Sequence, residues 1–372
     1  MLAGNPHQGG ATWAVLQYAL GLRRLGHLVH IVEPVAADAL RPRGAPLPAS
    51  VNARYFLEVM RGFGFEHQSA LMLEGTREAV GLSYEDVRSA ARRSDLLVNI
   101  NGLLAAEELL EAAPVRVYMD IDAGFNQLWH SAGFDRRFDG HTCHVTIGQG
   151  IGEPWSPIPT CGVEWLKSVQ PVVLEHWPVA QSIFYDALTT VGNWRSSGRF
   201  EHEGLLIGQK VHSLRQLITL PTRTSERFLL ALAIHPDETK DLEALGRNGW
   251  DLIDPAEVSS TPTSYRSFVQ GSKAEFGLVQ QGCVVAPCGW FSDRSACYMA
   301  SGRPVLSQDT GFGRWLPTGE GVFAFETEED ALAAIEELNR DYQGHARAAR
   351  ALAEEYFDSD KVLTRVLEQV AA

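Results

Sequence analysis

Two cations, each at the start of a helix, are the side chains best suited to chemistry. Arg294 follows Ser292 and Asp293 and precedes Ser295, where an apolar run at 283–286 gives way to Pro287, Cys288 and Gly289. Ser292 and Asp293 are both good N-cap residues, and a helix start with a guanidinium beside it attracts phosphate. Lys210 follows Gly208 and Gln209 and opens a second helix, with Leu214, Leu217 and Ile218 on one face. Cations at two helix starts make places where a phosphate-bearing anion can be held. In the first half of the chain, His7, Asp120 and Asp122, with His130 behind them, are the groups able to take a proton from a bound hydroxyl. If no such base is needed, the same groups would bind that substrate.

These residues sit in a repeated strand–helix alternation. In the first half a loop at 4–10 leads into a helix ended by Gly26 and a strand at 29–34. Residues 1–3 are too short for a full strand, so either most of a first strand lies before them or a strand of two or three residues suffices. The segment 34–81 is poorly periodic. Ser83 caps a helix over 84–93, and a strand at 95–102, a helix at 103–113 and strands at 115–122 and 144–148 follow. A last strand and linker span 171–178. The second half has strands at 188–195, 228–234, 250–253, 283–286 and 304–306. Its helices fall at 210–218, 237–247, 265–279 and 292–302, with long helical stretches over 328–355 and 360–370. Such alternation predicts doubly wound parallel sheets, whose ligands lie outside the carboxyl ends of the strands. That rule puts His7, Asn101, Asp120 and Asp122 on one rim, followed on the same side by Trp129 and His130.

The run Ala300-Ser301-Gly302-Arg303-Pro304-Val305-Leu306, followed by Asp309-Thr310-Gly311-Phe312, resembles the donor-binding segment of GT-B glycosyltransferases. The Gly-rich loop at 4–10, its helix and the next strand resemble the start of the amino-terminal domain of the same enzymes. The resemblance implies an α/β protein of the GT-B class: two Rossmann-like, doubly wound parallel-sheet domains facing a central cleft. It divides the chain into an acceptor-side domain at 1–175, a donor-side domain at 176–355 and a helix at 356–372 that packs back on the first domain. In family 4 members an Arg after the first strand of the second domain and a Lys at the next helix grip the donor diphosphate, and Arg195 and Lys210 match that order with a longer gap. The two glutamates of that family fall on Gly289 and Cys297, so the ribose contact must come from elsewhere. Gly289-Trp290 is also similar to part of the H-C-G-W motif of plant-type UDP-sugar transferases, with Pro287 in place of the His. The implied donor contacts are Asn193, Arg195, Lys210, Gly289, Ser292, Asp293, Arg294, Ser295, Thr310, Gly311 and Phe312. The implied acceptor contacts are His7, Gly9, Gly10, Asn101, Trp129 and His130.

Bulk composition narrows the partners. The chain of 372 residues carries a formal net charge of -14, which disfavours a nucleic-acid backbone but not a small anion held in a local Arg/Lys pocket. Its five cysteines form no C-x-x-C pair, so neither a zinc site nor a disulfide framework is expected, and a reducing cytoplasm fits. No apolar run is long enough to span a bilayer. Gly4, Gly9 and Gly10 do not make the G-x-G-x-x-G of dinucleotide-binding dehydrogenases. The expectation is therefore a cytoplasmic, metal-independent and cofactor-free glycosyltransferase that moves a sugar from a nucleoside diphosphate sugar to a small molecule. Natural-product decoration is one setting, and a homodimer remains open. The alternatives are a non-catalytic nucleotide-sugar-binding relative, or a GT-B epimerase or phosphorylase.

Overall fold

The computed structural model describes residues 2–195, 200–202 and 204–371. In the amino-terminal half, β1 (Ile31–Val35) runs parallel to β2 (Ser69–Leu73), with β3 (Ala79–Gly81) antiparallel at the edge. A second sheet is wholly parallel and runs in order through β4 (Leu96–Ile100), β5 (Val115–Asp120), β6 (Cys143–Thr146) and β7 (Trp165–Lys167). Residues 2–4 form no strand. Their N–H groups donate instead to the buried Glu33 carboxylate of β1, at 2.8, 2.9 and 2.8 Å, which satisfies a charge that would otherwise be costly to bury.

In the carboxyl-terminal half, β8 (Tyr185–Asn193) is followed by the hairpin β9 (Phe200–His202) and β10 (Leu205–Ile207). Then come β11 (Phe228–Ala233), β12 (Asp251–Leu252), β13 (Ser272–Gly277), β14 (Val305–Gln308) and β15 (Val322–Phe325). Six of them form one parallel sheet in the order β12-β11-β8-β13-β14-β15. The strand order therefore reverses between β8 and β13, and a doubly wound sheet offers its ligand crevice at that switch.

Several predicted elements differ. The helix expected over 265–279 stops at Gly271, and Ser272 to Gly277 is β13, with Ala274 and Phe276 in the core. Their alternation with Lys273 and Glu275 is the period of a strand. The expected strand at 283–286 is the short helix Gln281–Val285, since an apolar run of this length has no periodicity to decide its type. The helix expected over 103–113 shrinks to Glu107–Leu110, because Asn99 holds the Leu104 backbone with two hydrogen bonds, 3.0 and 2.9 Å, that pin the preceding stretch out of helical geometry. Residues 171–178 contribute only a bridge from Val172 to Asp358 and a 3-10 turn, Leu174–His176. The weakly periodic region 34–81 holds the helix Val51–Gly62, capped by Ser50, together with β2 and β3.

The two halves share one apolar core. Trp13, Trp177, Tyr265, Phe268, Phe291 and Phe357 belong to a single buried cluster. Trp13 Nε1 also donates to the Pro262 carbonyl at 2.8 Å. The last helix, Ser359–Ala371, lies on the first, Gly9–Arg24, where Leu363 and Val366 join Tyr18, Val117, Met119 and Val145. Gly21 allows this close approach, since a Cβ there would meet the Leu363 side chain.

Candidate functional site

The carboxyl end of β8 is where the two cations meet. Lys210 is the first residue of the helix Lys210–Gln216, is 8% exposed and donates from Nζ to the Leu278 carbonyl, just past β13, at 2.7 Å. Arg294 lies in the first turn of the helix Asp293–Ala300. A Cβ added at Gly192 would stand 3.4 Å from Lys210 Nζ and 3.9 Å from Arg294 Nη1, so both charges flank this glycine at the switch of the sheet. Arg294 Nε binds the fully buried Glu275 of β13 at 2.5 Å, and Nη1 donates to the Val191 carbonyl at 3.1 Å. Burial and then the neighbouring Arg294 push the Lys210 amine well below its ordinary range, while Glu275 acts in the opposite direction. Burial opposes the Arg294 charge, but Glu275 more than offsets this and raises its pKa. Burial and a second cation therefore loosen the proton of Lys210, while Glu275 keeps Arg294 charged.

Across the interface, the start of the helix Gly9–Arg24 faces this group. A Cβ on Gly10 would lie 2.9 Å from the Tyr265 ring, and the Tyr265 hydroxyl feels both Asp293 and Arg294. The hydroxyl of Tyr18, buried and without a hydrogen-bond partner among the described residues, lies within the fields of Asp293 and Asp120. The thiol of Cys283 feels Asp122 and Lys210 alike. Charged groups of the two halves are thus coupled electrostatically through Tyr18, Tyr265 and Cys283.

The predicted rim residues play unequal parts. Asp120 is fully buried, and its carboxylate accepts from Asn126 Nδ2 (2.7 Å), Gln127 Nε2 (2.8 Å) and Thr146 Oγ1 (2.7 Å). Burial raises its pKa against those three donors. Expected as a base, it instead fixes the loop after β5. Asp122 and His7 are exposed; Asp122 accepts from Asn101 Nδ2 at 2.9 Å, and His7 packs edge-on against Tyr55. Asn101 is spent on internal bonds, since its Oδ1 also takes the Ile121 N–H and Asn126 Nδ2. His130 stacks on Phe138, and the Arg136 guanidinium lies over Trp129. Gly9 has no open face for an acceptor, because a Cβ there would fall on the Thr261 carbonyl.

On the donor side, Ser292 is the cap of the Arg294 helix, accepting from Arg294 N at 3.2 Å, which leaves Asp293 as the first helical residue. Burial raises the Asp293 pKa, opposed by Arg294. Ser295 is buried with an unpartnered hydroxyl among the described residues. Asn193 is exposed at the end of β8, and Arg195, also exposed, is ion-paired with Glu238 rather than standing with Lys210. Phe312, expected against the donor, is a core residue packed edge-on to Phe291. Thr310 Oγ1 donates to the Trp290 carbonyl. Gly289 and Gly311 are both covered by the indole of Trp155, which reaches over from the first domain. At the other position matched to a family 4 glutamate, Cys297 is buried beneath Gln17 Nε2 at 3.7 Å. Sequence reasoning missed Glu275, Tyr18, Trp155 and Tyr265; only Glu275 left a usable signal, in the alternation of its strand.

No protein-family model matches this chain, and no curated protein matches it. Solved structures do. HepE of Anabaena in complex with UDP-glucose aligns with a TM-score of 0.54 and 14% identity, covering 92% of this chain and 100% of that one. An alpha-glucosyltransferase in complex with UDP and a 13-mer DNA aligns with a TM-score of 0.63 and 10% identity, covering 99% and 97%. AviGT4, a glycosyltransferase involved in avilamycin A biosynthesis, aligns with a TM-score of 0.52 and 14% identity, covering 92% and 97%. At such identities the likeness carries the fold, and the fold is shared along nearly the whole chain.

Proposed function

We propose, for a chain with the GT-B fold, that it is a glycosyltransferase taking a sugar from a nucleoside diphosphate sugar and passing it to a small-molecule acceptor. The observation that carries this is the meeting of Lys210 Nζ and the Arg294 guanidinium at Gly192, at the switch of a parallel sheet. Charge builds on the diphosphate as the glycosidic bond breaks, and fixed donors in a water-poor place stabilise it there. The Arg294 guanidinium and the Lys210 amine supply them, at the start of the helix Asp293–Ala300 and of the helix Lys210–Gln216. HepE and the alpha-glucosyltransferase are bound to UDP-glucose and UDP, which makes UDP-sugars the first donors to try. On the acceptor side Asp122 and His7 are the accessible groups able to receive a proton, because Asp120 is sealed off.

Thermal shift against UDP-, GDP- and TDP-sugars identifies the donor, and slow donor hydrolysis reports turnover. Lys210→Ala and Arg294→Ala should each weaken UDP binding about 10- to 100-fold, the scale of one charge-assisted hydrogen bond lost. Unchanged binding and hydrolysis in both variants would remove these residues from the mechanism. The replacement of both family 4 glutamates by Gly289 and Cys297 favours one rival, a nucleotide-sugar binder without turnover. That rival predicts the thermal shift without hydrolysis or transfer.

A further inference from the structure

We infer that Glu275 is a positioning residue of this site, fixing the Arg294 guanidinium so that its free edge meets the ligand; the inference rests on the diphosphate assignment above. Glu275 is 0% exposed, on β13 beside the switch of the sheet. One carboxylate oxygen binds Arg294 Nε at 2.5 Å, while the other is buried without a partner among the described residues. The Val191 carbonyl takes Nη1 at 3.1 Å. Two of the three guanidinium nitrogens are thus committed to protein, and Nη2 has no partner among the described residues. A buried ion pair is weak as a source of stability, because taking both charges out of water offsets most of their attraction. A half-satisfied one is weaker still. Such a group does make sense as a brace, since it orients a planar fork that would otherwise rotate.

Glu275 also acts on the second cation. The charged and titratable groups facing Lys210 are Arg294 from the helix Asp293–Ala300, Glu275 from β13 and Cys283 from the helix Gln281–Val285. Arg294 drives its proton off and Glu275 holds it on. Losing the Glu275 charge should therefore leave Lys210 neutral at a lower pH, and a merely structural residue would have no such effect.

The test measures the Kd for UDP across pH by calorimetry on the full chain, with melting temperature recorded beside it, for Glu275→Gln, Glu275→Asp and Glu226→Gln. Glu226 pairs with Lys273 of the same strand at 2.8 Å and serves as the control for lost stability alone. Glu275→Gln should weaken UDP about 10-fold or more, as loss of an orienting partner does elsewhere, and move the upward bend of Kd to lower pH. Glu275→Asp should weaken binding but leave the bend in place, and Glu226→Gln should melt earlier with an unchanged Kd. Wild-type affinity and an unmoved bend in Glu275→Gln, with Lys210→Ala still impaired, would overturn the positioning role alone. Should Glu275→Gln fail to fold, Glu275→Asp decides: weakened UDP binding supports the role, and wild-type affinity overturns it. A wild-type chain that does not bind UDP, GDP or TDP would overturn the diphosphate assignment itself.

Discussion

Lys210 is the residue whose physics is most exposed to measurement. Its amine is buried beside Arg294, so the free protein holds its proton loosely, and the diphosphate proposed for this site would draw that proton back. Binding should take up protons from the buffer, and affinity should fall as pH rises through the window that opens at the lowered Lys210 pKa. Calorimetry in buffers of different ionisation heat reads the uptake directly, up to about one proton per UDP. Lys210→Met should abolish it. The same shift fixes a sign for stability. The unfolded chain, with an ordinary lysine near pH ~10.4, holds more protons than the folded one, so stability rises with pH across that window. Lys210→Met should lose this slope and melt no lower than the wild type, because it removes a buried charge and keeps the volume. A clear drop in melting temperature at neutral pH would show that the ammonium is structural.

At the scale of elements, the site depends on how closely two helix starts can approach. Gly9 opens the first helix directly against the backbone of residues 259–261, where a Cβ would overlap the Thr261 carbonyl. Gly9→Ala must push the helix Gly9–Arg24 away from the helix Pro262–Gly271, at a cost of about 1–3 kcal/mol. It should also weaken UDP binding, because Tyr265, which faces Gly10, lies beside Arg294. Denaturant unfolding and a UDP titration check the two halves of that expectation; a variant with native stability and affinity refutes both. Helix starts of this kind were legible in the sequence: Ser83 caps Tyr84–Arg93, Lys210 opens its helix, and Ser292 to Gly302 reads as the structure shows. What hid were elements whose residues answer to tertiary partners. β13 buries Glu275 on the polar side of its alternation, because Arg294 is its partner, and 103–106 yields its helix to the Asn99 side chain. The accessible and the sealed rim acids could not be told apart either. Asp120 and Asp122 are two residues apart on one strand end, and only the donors Asn126, Gln127 and Thr146 distinguish them.

Over the whole molecule, charge is arranged so that a small anion and a polyanion are treated differently. The net charge is -14, while the two cations of the site lie together at the switch of the second sheet. A diphosphate needs only those two groups and a helix start. A nucleic-acid backbone needs a run of exposed Lys and Arg that releases counterions, and here surface arginines are tied up with acids, as in the exposed Arg77 and Arg92 and the half-buried Arg88 around Glu85 and Glu108. The DNA-bound alpha-glucosyltransferase shares this fold, so the fold alone leaves the acceptor open, and the surface charge favours the small molecule. A short duplex DNA should therefore show no saturable binding in fluorescence anisotropy at about 50 mM salt, where phosphate contacts are strong. UDP should raise the melting temperature under the same conditions. Saturable DNA binding, with log affinity falling linearly against log salt, would move the acceptor from small molecules to nucleic acid while leaving the diphosphate site untouched.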